Sequence, residues 1–199
     1  KSLLITSDEP WIPWEIIKPY RFNNGKEEQD PFWCQQFAIS RWLSGCGTAD
    51  ELPTQLVIPV APAIVNLPSV TAEVTFLGQL DRLYPGIQAI APINNSIALT
   101  EYLKEPLFSI LHFACHGGFD STLPNDSAIQ LATNDCLRPS DIRLYFSPPS
   151  SRPLIFINAC HGGRLGFSFT GLGGWAERLV KARVGAFVGA MWEVNDTLA

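Results

Sequence analysis

Hydrophobic positions along the chain fall into short apolar runs that alternate with segments of helical spacing. Leu3–Thr6 reads as a short strand. Trp11 to Cys46 is rich in Trp, Pro and charge and reads as an elaborated, partly helical excursion. Within it, Phe32–Leu43 has the pattern of an amphipathic helix placed after the breaker Asp30-Pro31. Gln55-Leu-Val-Ile-Pro-Val60 predicts a strand whose proline suits a sheet edge. From Ser69 as N-cap, Val70, Val74, Leu77 and Leu80 line one helical face through Leu83, where Pro85-Gly86 stops it.

Ile87–Ile90 predicts another short strand, and a helix follows from Asn95 or Ser96 to Lys104. Phe108–Cys115 and Pro153–Cys160 are nearly continuous apolar runs, as strands buried on both faces should be. Between them lie a turn-rich loop (Gly117–Asp126), a short strand (Ala128–Leu131) and a brief helix (Pro139–Ile142). A Gly-rich loop over Gly162–Gly174, a helix over Trp175–Arg183 and a last strand over Gly185–Trp192 complete the pattern. Helices between strands imply crossover connections, so the expected class is α/β with a mostly parallel central sheet covered on both sides.

Composition narrows the picture. The 199 residues are 46% hydrophobic and 17% charged, which excludes disordered, collagen-like and coiled-coil chains and fits a single domain over 1–199 with an elaborated region 1–50. A net charge of -5 argues against nucleic acid or an anionic membrane as partner, since nothing would neutralise phosphate. The longest apolar runs are strand-sized, far short of the ~20 residues of a spanning helix. The first residues lack the pattern of a signal peptide. The end, Trp192-Glu-Val-Asn-Asp-Thr-Leu-Ala199, reads as a truncation, and the whole as a piece of a longer protein. Five cysteines at uneven spacing do not form a disulfide framework, and the expected compartment is the cytoplasm.

Candidate chemistry gathers where an open α/β sheet places it, on loops after the C-terminal ends of strands. Two such ends stand out: His116-Gly117-Gly118 and Cys160-His161-Gly162-Gly163. A thiol at one tip and an imidazole at the other is the minimum set for nucleophilic cysteine catalysis, and neighbouring glycines let backbone N–H groups approach an oxyanion. The plainer alternative is that cysteines in apolar runs are small buried hydrophobes and that glycines after strands only turn the chain. Zinc is disfavoured: adjacent residues of the Cys115-His116 and Cys160-His161 doublets point to opposite faces, and no CxxC pair is present. The Gly162–Gly174 segment carries neither a P-loop Lys-Ser/Thr nor a dinucleotide fingerprint, so no cofactor is expected.

Three ordered segments carry a specific resemblance: Ile110-Leu-His-Phe-Ala-Cys-His-Gly117, Ile155-Phe-Ile-Asn-Ala-Cys160, and Gly185-Ala-Phe-Val-Gly-Ala-Met-Trp-Glu-Val-Asn-Asp196. Together, from Gln55 onward, they resemble the CHAT domain, a caspase-like peptidase domain related to separase, metacaspases and clostripain and often found after tetratricopeptide repeats. The resemblance implies a caspase-like three-layer fold and a cysteine endopeptidase acting through a thioester. Carried over by position, Cys160 is the nucleophile, His116 protonates the leaving amine, and the N–H groups of Cys160 and Gly117 hold the oxyanion. Asn158 stands where metacaspases carry an Asp that binds a basic side chain, Asp196 matches the acidic residue of the separase pocket, and His161 flanks the pocket. Asp196 could equally cap a following helix. Partners implied are a protein or peptide substrate and an upstream repeat domain or sensor protein. The alternative in a different class is a catalytically silent or partner-gated scaffold on the same fold.

Overall fold

A computed structural model describes residues 1–9, 12–62, 68–146, 152–168 and 171–195. The chain forms two compact units, Lys1–Cys46 and Gly47–Ala199.

In the first unit, β1 (Ser2–Thr6) is followed by an antiparallel hairpin of β2 (Tyr20–Asn23) and β3 (Lys26–Gln29). Asn24 and Gly25 both have positive φ (51° and 76°), the conformation a two-residue hairpin turn requires. Helix α1 is a single turn, Trp33–Gln36, and the chain then extends into β4 (Ala38–Trp42), which pairs in parallel with β1. The helix expected over Phe32–Leu43 is therefore a correction: one turn of helix and a strand occupy that segment. Ile39 and Arg41 alternate with Ala38, Ser40 and Trp42 in a ladder in which Leu3 faces Ile39 and Ile5 faces Arg41. Trp14 stacks on Trp33 at 6.4 Å, and Arg41 pairs with Glu15 at 2.9 Å.

The second unit is built on five parallel strands. In chain order they are β5 (Leu56–Val60), β6 (Gln88–Ala89), β7 (Ile110–Ala114), β11 (Leu154–Asn158) and β14 (Ala186–Gly189), with spatial order β14-β11-β7-β5-β6. Helices α2 (Pro68–Leu77) and α3 (Leu80–Leu83) connect β5 to β6, and α4 (Ser96–Lys104) connects β6 to β7. Between β7 and β11 come β8 (His116–Gly118), β9 (Ala128–Ala132), β10 (Asp135–Leu137) and α5 (Pro139–Tyr145). The hairpin β12 (Gly166–Ser168) and β13 (Gly171–Gly173) and the helix α6 (Trp175–Lys181) precede β14. The Gly-rich segment expected as a loop thus contains a short hairpin.

Register sorts the strand residues into two faces. Ile58, Leu111 and Ile155 form one row across the sheet, and Val60, Phe113 and Ile157 the next. All six are at most 1% exposed and pack with Leu99 and Leu103 of α4, Ile142 of α5, and Trp175 and Leu179 of α6. Each such side chain contributes about 1.5–3 kcal/mol through burial. The opposite face carries His112, Ala114, Phe156 and Asn158 and is covered by α2, whose Val70 and Val74 pack on Ala61 and Ala114. The result is a layer of helix, a parallel sheet and a second layer of helices.

Pro59 lies inside the sheet, between β7 and β6, where an edge was expected. The carbonyls of Val57 and Pro59 accept from Ile90 and Ile93 on the β6 side, so a residue 59 N–H would point the same way. β6 ends at Ala89 and strand pairing resumes at the Val60–Ile93 bridge, so the missing N–H of Pro59 falls at a gap in the regular ladder.

Candidate active site

β7 and β11 run in register for five residues, from Ile110 opposite Leu154 to Ala114 opposite Asn158. Beyond these ends the two tips stay together: Cys115 N–H donates to the Asn158 carbonyl at 3.2 Å. Gly117 is pressed against the peptide that carries Cys160. A Cβ at position 117 would overlap the Cys160 carbonyl oxygen and lie 3.0 Å from Ala159 Cβ and 3.2 Å from Cys160 N. Only a residue without a side chain permits this approach, which joins the His-Gly segment to the Cys160 segment.

Cys160 is half-buried. Its sulfur accepts from Val194 N–H at 3.5 Å, and its thiol is 3.6 Å from the Val194 carbonyl oxygen. The turn after Cys160 is sewn to the segment that follows β14: His161 N–H donates to Trp192 O at 3.2 Å and Gly163 N–H to Ala190 O at 2.7 Å. The Cys160 N–H donates to no backbone carbonyl among the described residues. His116 is exposed on β8, with no hydrogen bond to Cys160 among those described. The three sequence segments singled out for resemblance thus converge at one end of the sheet, while the His116 ring and the Cys160 thiol make no hydrogen bond to each other among the described residues.

His161 adopts φ 59°, uncommon for a residue with a side chain. Its ring is mostly buried, 6.2 Å from Phe119, with Nδ1 unpartnered among the described residues and Nε2 3.8 Å from Glu193. Arg164 stacks on the other partner, its guanidinium 4.5 Å from the Phe119 ring centre. Asn158 points to the α2 face, where its amide nitrogen lies 3.1 Å from each carboxylate oxygen of Glu73. His112 Nε2 is 2.5 Å from the same carboxylate, and its ring stacks on Phe156 at 4.7 Å. Asp196 lies outside the described residues.

Two participants escaped the sequence reading. Glu73 carried a signal: it sits among Val70, Val74 and Leu77, a lone carboxylate at helical spacing within an apolar stripe. The Val194 backbone carried none, because a main-chain contact leaves no mark on side-chain pattern. Cys115, read as core, is 5% exposed, and its thiol is 3.4 Å from the Val60 carbonyl oxygen. Burial, aided by the nearby Glu73 charge, pushes that thiol up to about 12, against the lowering effect of a hydrogen bond with the Ala114 backbone.

A cleft of about 520 Å³ opens over the outer face of the small antiparallel sheet β8-β9-β10. In that sheet His116, Gln130 and Cys136 form one cross-strand row facing the cleft, while Ile129, Leu131 and Leu137 are buried on the other face. Among the described residues no group of three or more His, Cys, Asp or Glu side chains is placed to hold a metal ion. No helix among them is long and apolar enough to cross a membrane. No protein-family model matches the chain, and no curated protein matches it either.

Proposed function

We propose that the chain is a caspase-like cysteine endopeptidase of the CHAT type, with Cys160 as nucleophile and His116 as its proton carrier. The observation that supports this reading best is the contact of Gly117 with the Ala159–Cys160 peptide, which sets the His-Gly tip beside the Cys160 tip. A parallel sheet with the order β14-β11-β7-β5-β6 suits it, because the strands that end at the two tips are neighbours in the middle of the sheet.

In this mechanism the Cys160 thiol gives its proton to the His116 imidazole as the sulfur attacks the substrate carbonyl. The oxyanion is held by the Cys160 and Gly117 N–H groups. The C–N bond then breaks, the departing amine takes the proton from His116, and a thioester remains on Cys160. Water, giving a proton to His116, hydrolyses the thioester and the sulfur is reprotonated. In this reading the His116 ring and the thiol come together only when substrate is bound, as catalytic groups of an apo site often do. In this reading a basic side chain before the scissile bond meets Asp196, the enzyme works in the cytoplasm, and an upstream repeat domain or sensor protein controls it.

A second reading is a partner-gated or silent scaffold. It is favoured by one observation, the engagement of the Cys160 sulfur by the Val194 backbone rather than by an imidazole. One experiment separates the two. Intact mass is recorded after incubation with thiol-reactive peptide probes bearing Arg, or another side chain, before the warhead. Single-site labelling that Cys160→Ala removes and His116→Ala slows supports the peptidase. Equal, slow labelling of all exposed thiols in the folded protein supports the scaffold.

A further inference from the structure

The cleft over β8-β9-β10 is reached from His116, yet Cys160 is not among the residues that line it. In the proposed reaction the acyl part of the substrate remains on Cys160, while the departing amine takes its proton from His116. A space that includes His116 and excludes Cys160 therefore lies on the leaving side. Its volume of about 520 Å³ is within the roughly 300–1,000 Å³ that specific ligand pockets occupy. Its floor carries Gly118, Ala128 and Ala132, small enough for an extended backbone to lie close to the sheet.

Charge in the cleft is not balanced where it counts. Asp135 turns its carboxylate to the start of α4, accepting from Ser96 N–H at 2.7 Å, so the helix N-terminus offsets it. Arg138 is exposed on the cleft wall, and none of the described carboxylates pairs with its guanidinium. Its backbone N–H is held by Asp141 at 2.7 Å, which fixes the point from which the side chain reaches out. Guanidinium favours carboxylate through paired charge-assisted hydrogen bonds.

We infer that this cleft is the leaving-side subsite of the proposed peptidase and selects a carboxylate, through Arg138, in the residues that follow the scissile bond. The inference rests on the peptidase reading for its place in the reaction, but binding at the cleft stands apart from catalysis. The carboxylate comes either from an Asp or Glu side chain or from a free chain terminus. Both arrive in the same extended segment and meet the same guanidinium.

Binding is therefore measured first, in the Cys160→Ala protein, by competition of short peptides against a fluorescent Glu-containing tetrapeptide amide. A peptide that carries the selected carboxylate should bind about two- to fivefold more tightly than its neutral counterpart, Glu against Gln or free acid against amide, the range of one exposed charge pair. Arg138→Glu should reverse the order of Glu and Lys peptides, and Arg138→Ala should abolish the difference. A neutral peptide that binds better as the free acid than as the amide assigns the carboxylate to the chain terminus; preference for Glu in the amides assigns it to a side chain. Equal binding of Glu and Lys amides together with equal binding of free acid and amide, or a carboxylate preference that survives Arg138→Glu, overturns the subsite. Internally quenched substrates that differ only after the scissile bond then place it in the reaction: kcat/KM should follow the same order. Carboxylate-selective binding without Cys160 labelling or cleavage would keep the site and discard the peptidase.

Discussion

Asn158 holds Glu73 by both carboxylate oxygens, each 3.1 Å from the amide nitrogen, and does so two residues before Cys160. His112 binds the same carboxylate from β7, so one acid on α2 ties the helix to the two central strands. An Asp at position 158 would set two carboxylates against each other in a half-buried space. Asn158→Asp should therefore lose about 2 kcal/mol at neutral pH from like-charge repulsion and a lost donor. The repulsion raises the pair's affinity for a proton in the folded state, so stability should recover as pH falls from neutral toward the ordinary carboxylate value of about 4. Denaturant midpoints at pH 7.5 and 5 check this, and equal losses at both would show that charge is not the cause.

Gly117 and Gly118 offer a matched pair. A Cβ at 117 meets the Cys160 carbonyl and Ala159, whereas a Cβ at 118 meets nothing within 4 Å. Gly117→Ala should cost about 1–3 kcal/mol through overpacking and slow the reaction of Cys160 with a thiol probe. Gly118→Ala should leave the unfolding midpoint nearly where it was. Similar midpoints for both variants would mean that the two tips are not pressed together.

Cys115 should make the fold sensitive to alkali. Its thiol, held up to about 12 by burial, keeps its proton in the folded chain, while the unfolded chain releases it near 9.0. Between those values the native state binds more protons than the unfolded state, so stability falls as pH rises, by about 1.4 kcal/mol per pH unit at most from this group. Cys115→Ala should flatten that slope in chemical denaturation between pH 8.5 and 10.5. In the native protein near pH 8, iodoacetamide should spare Cys115.

Arg183 ends α6 in the left-handed region, φ 62°. Val184 N–H donates to Leu179 O and Arg183 N–H to Val180 O, the pair of bonds that closes a helix through a residue usually glycine. Arg183→Gly should raise stability by about 0.5–1 kcal/mol, relieving the backbone strain of a residue with a side chain there. A higher urea midpoint with an unchanged m-value would confirm it. An unchanged or lower midpoint would show that the arginine side chain stabilises the terminus by other contacts.

Much of the second unit was legible because its signals are local. Apolar runs marked β7 and β11, and Asn95 announced α4, whose Ala98 N–H it caps at 2.8 Å. Helical spacing found the buried face of α2, although Gly78-Gln79 separates it from α3. What escaped was decided elsewhere in the chain. Ala38–Trp42 is a strand because β1 supplies its ladder, and Pro59 is tolerated inside the sheet because β6 ends early. The Asn24-Gly25 turn was a readable hairpin signal that the surrounding charge concealed. At the candidate site, residue types singled out Cys160 and His116. The attachment of the thiol to Val194 depends on how a later segment returns across the sheet end.

The five-residue register between β7 and β11 has a consequence for how such a chain tolerates insertions and deletions. His116 and Cys160 each follow, by two residues, the paired positions Ala114 and Asn158, so they are equivalent rungs counted from the same ladder. Residues added between Phe119 and Pro153 lengthen an excursion and leave that count intact. A single residue added within Ile110–Gly117 or Leu154–Cys160 would shift one rung against the other and turn every later side chain to the wrong face. Length variation should therefore be tolerated in the turns of the long connection, outside β9, β10 and α5, and forbidden along these two short stretches, whatever reaction the rungs support.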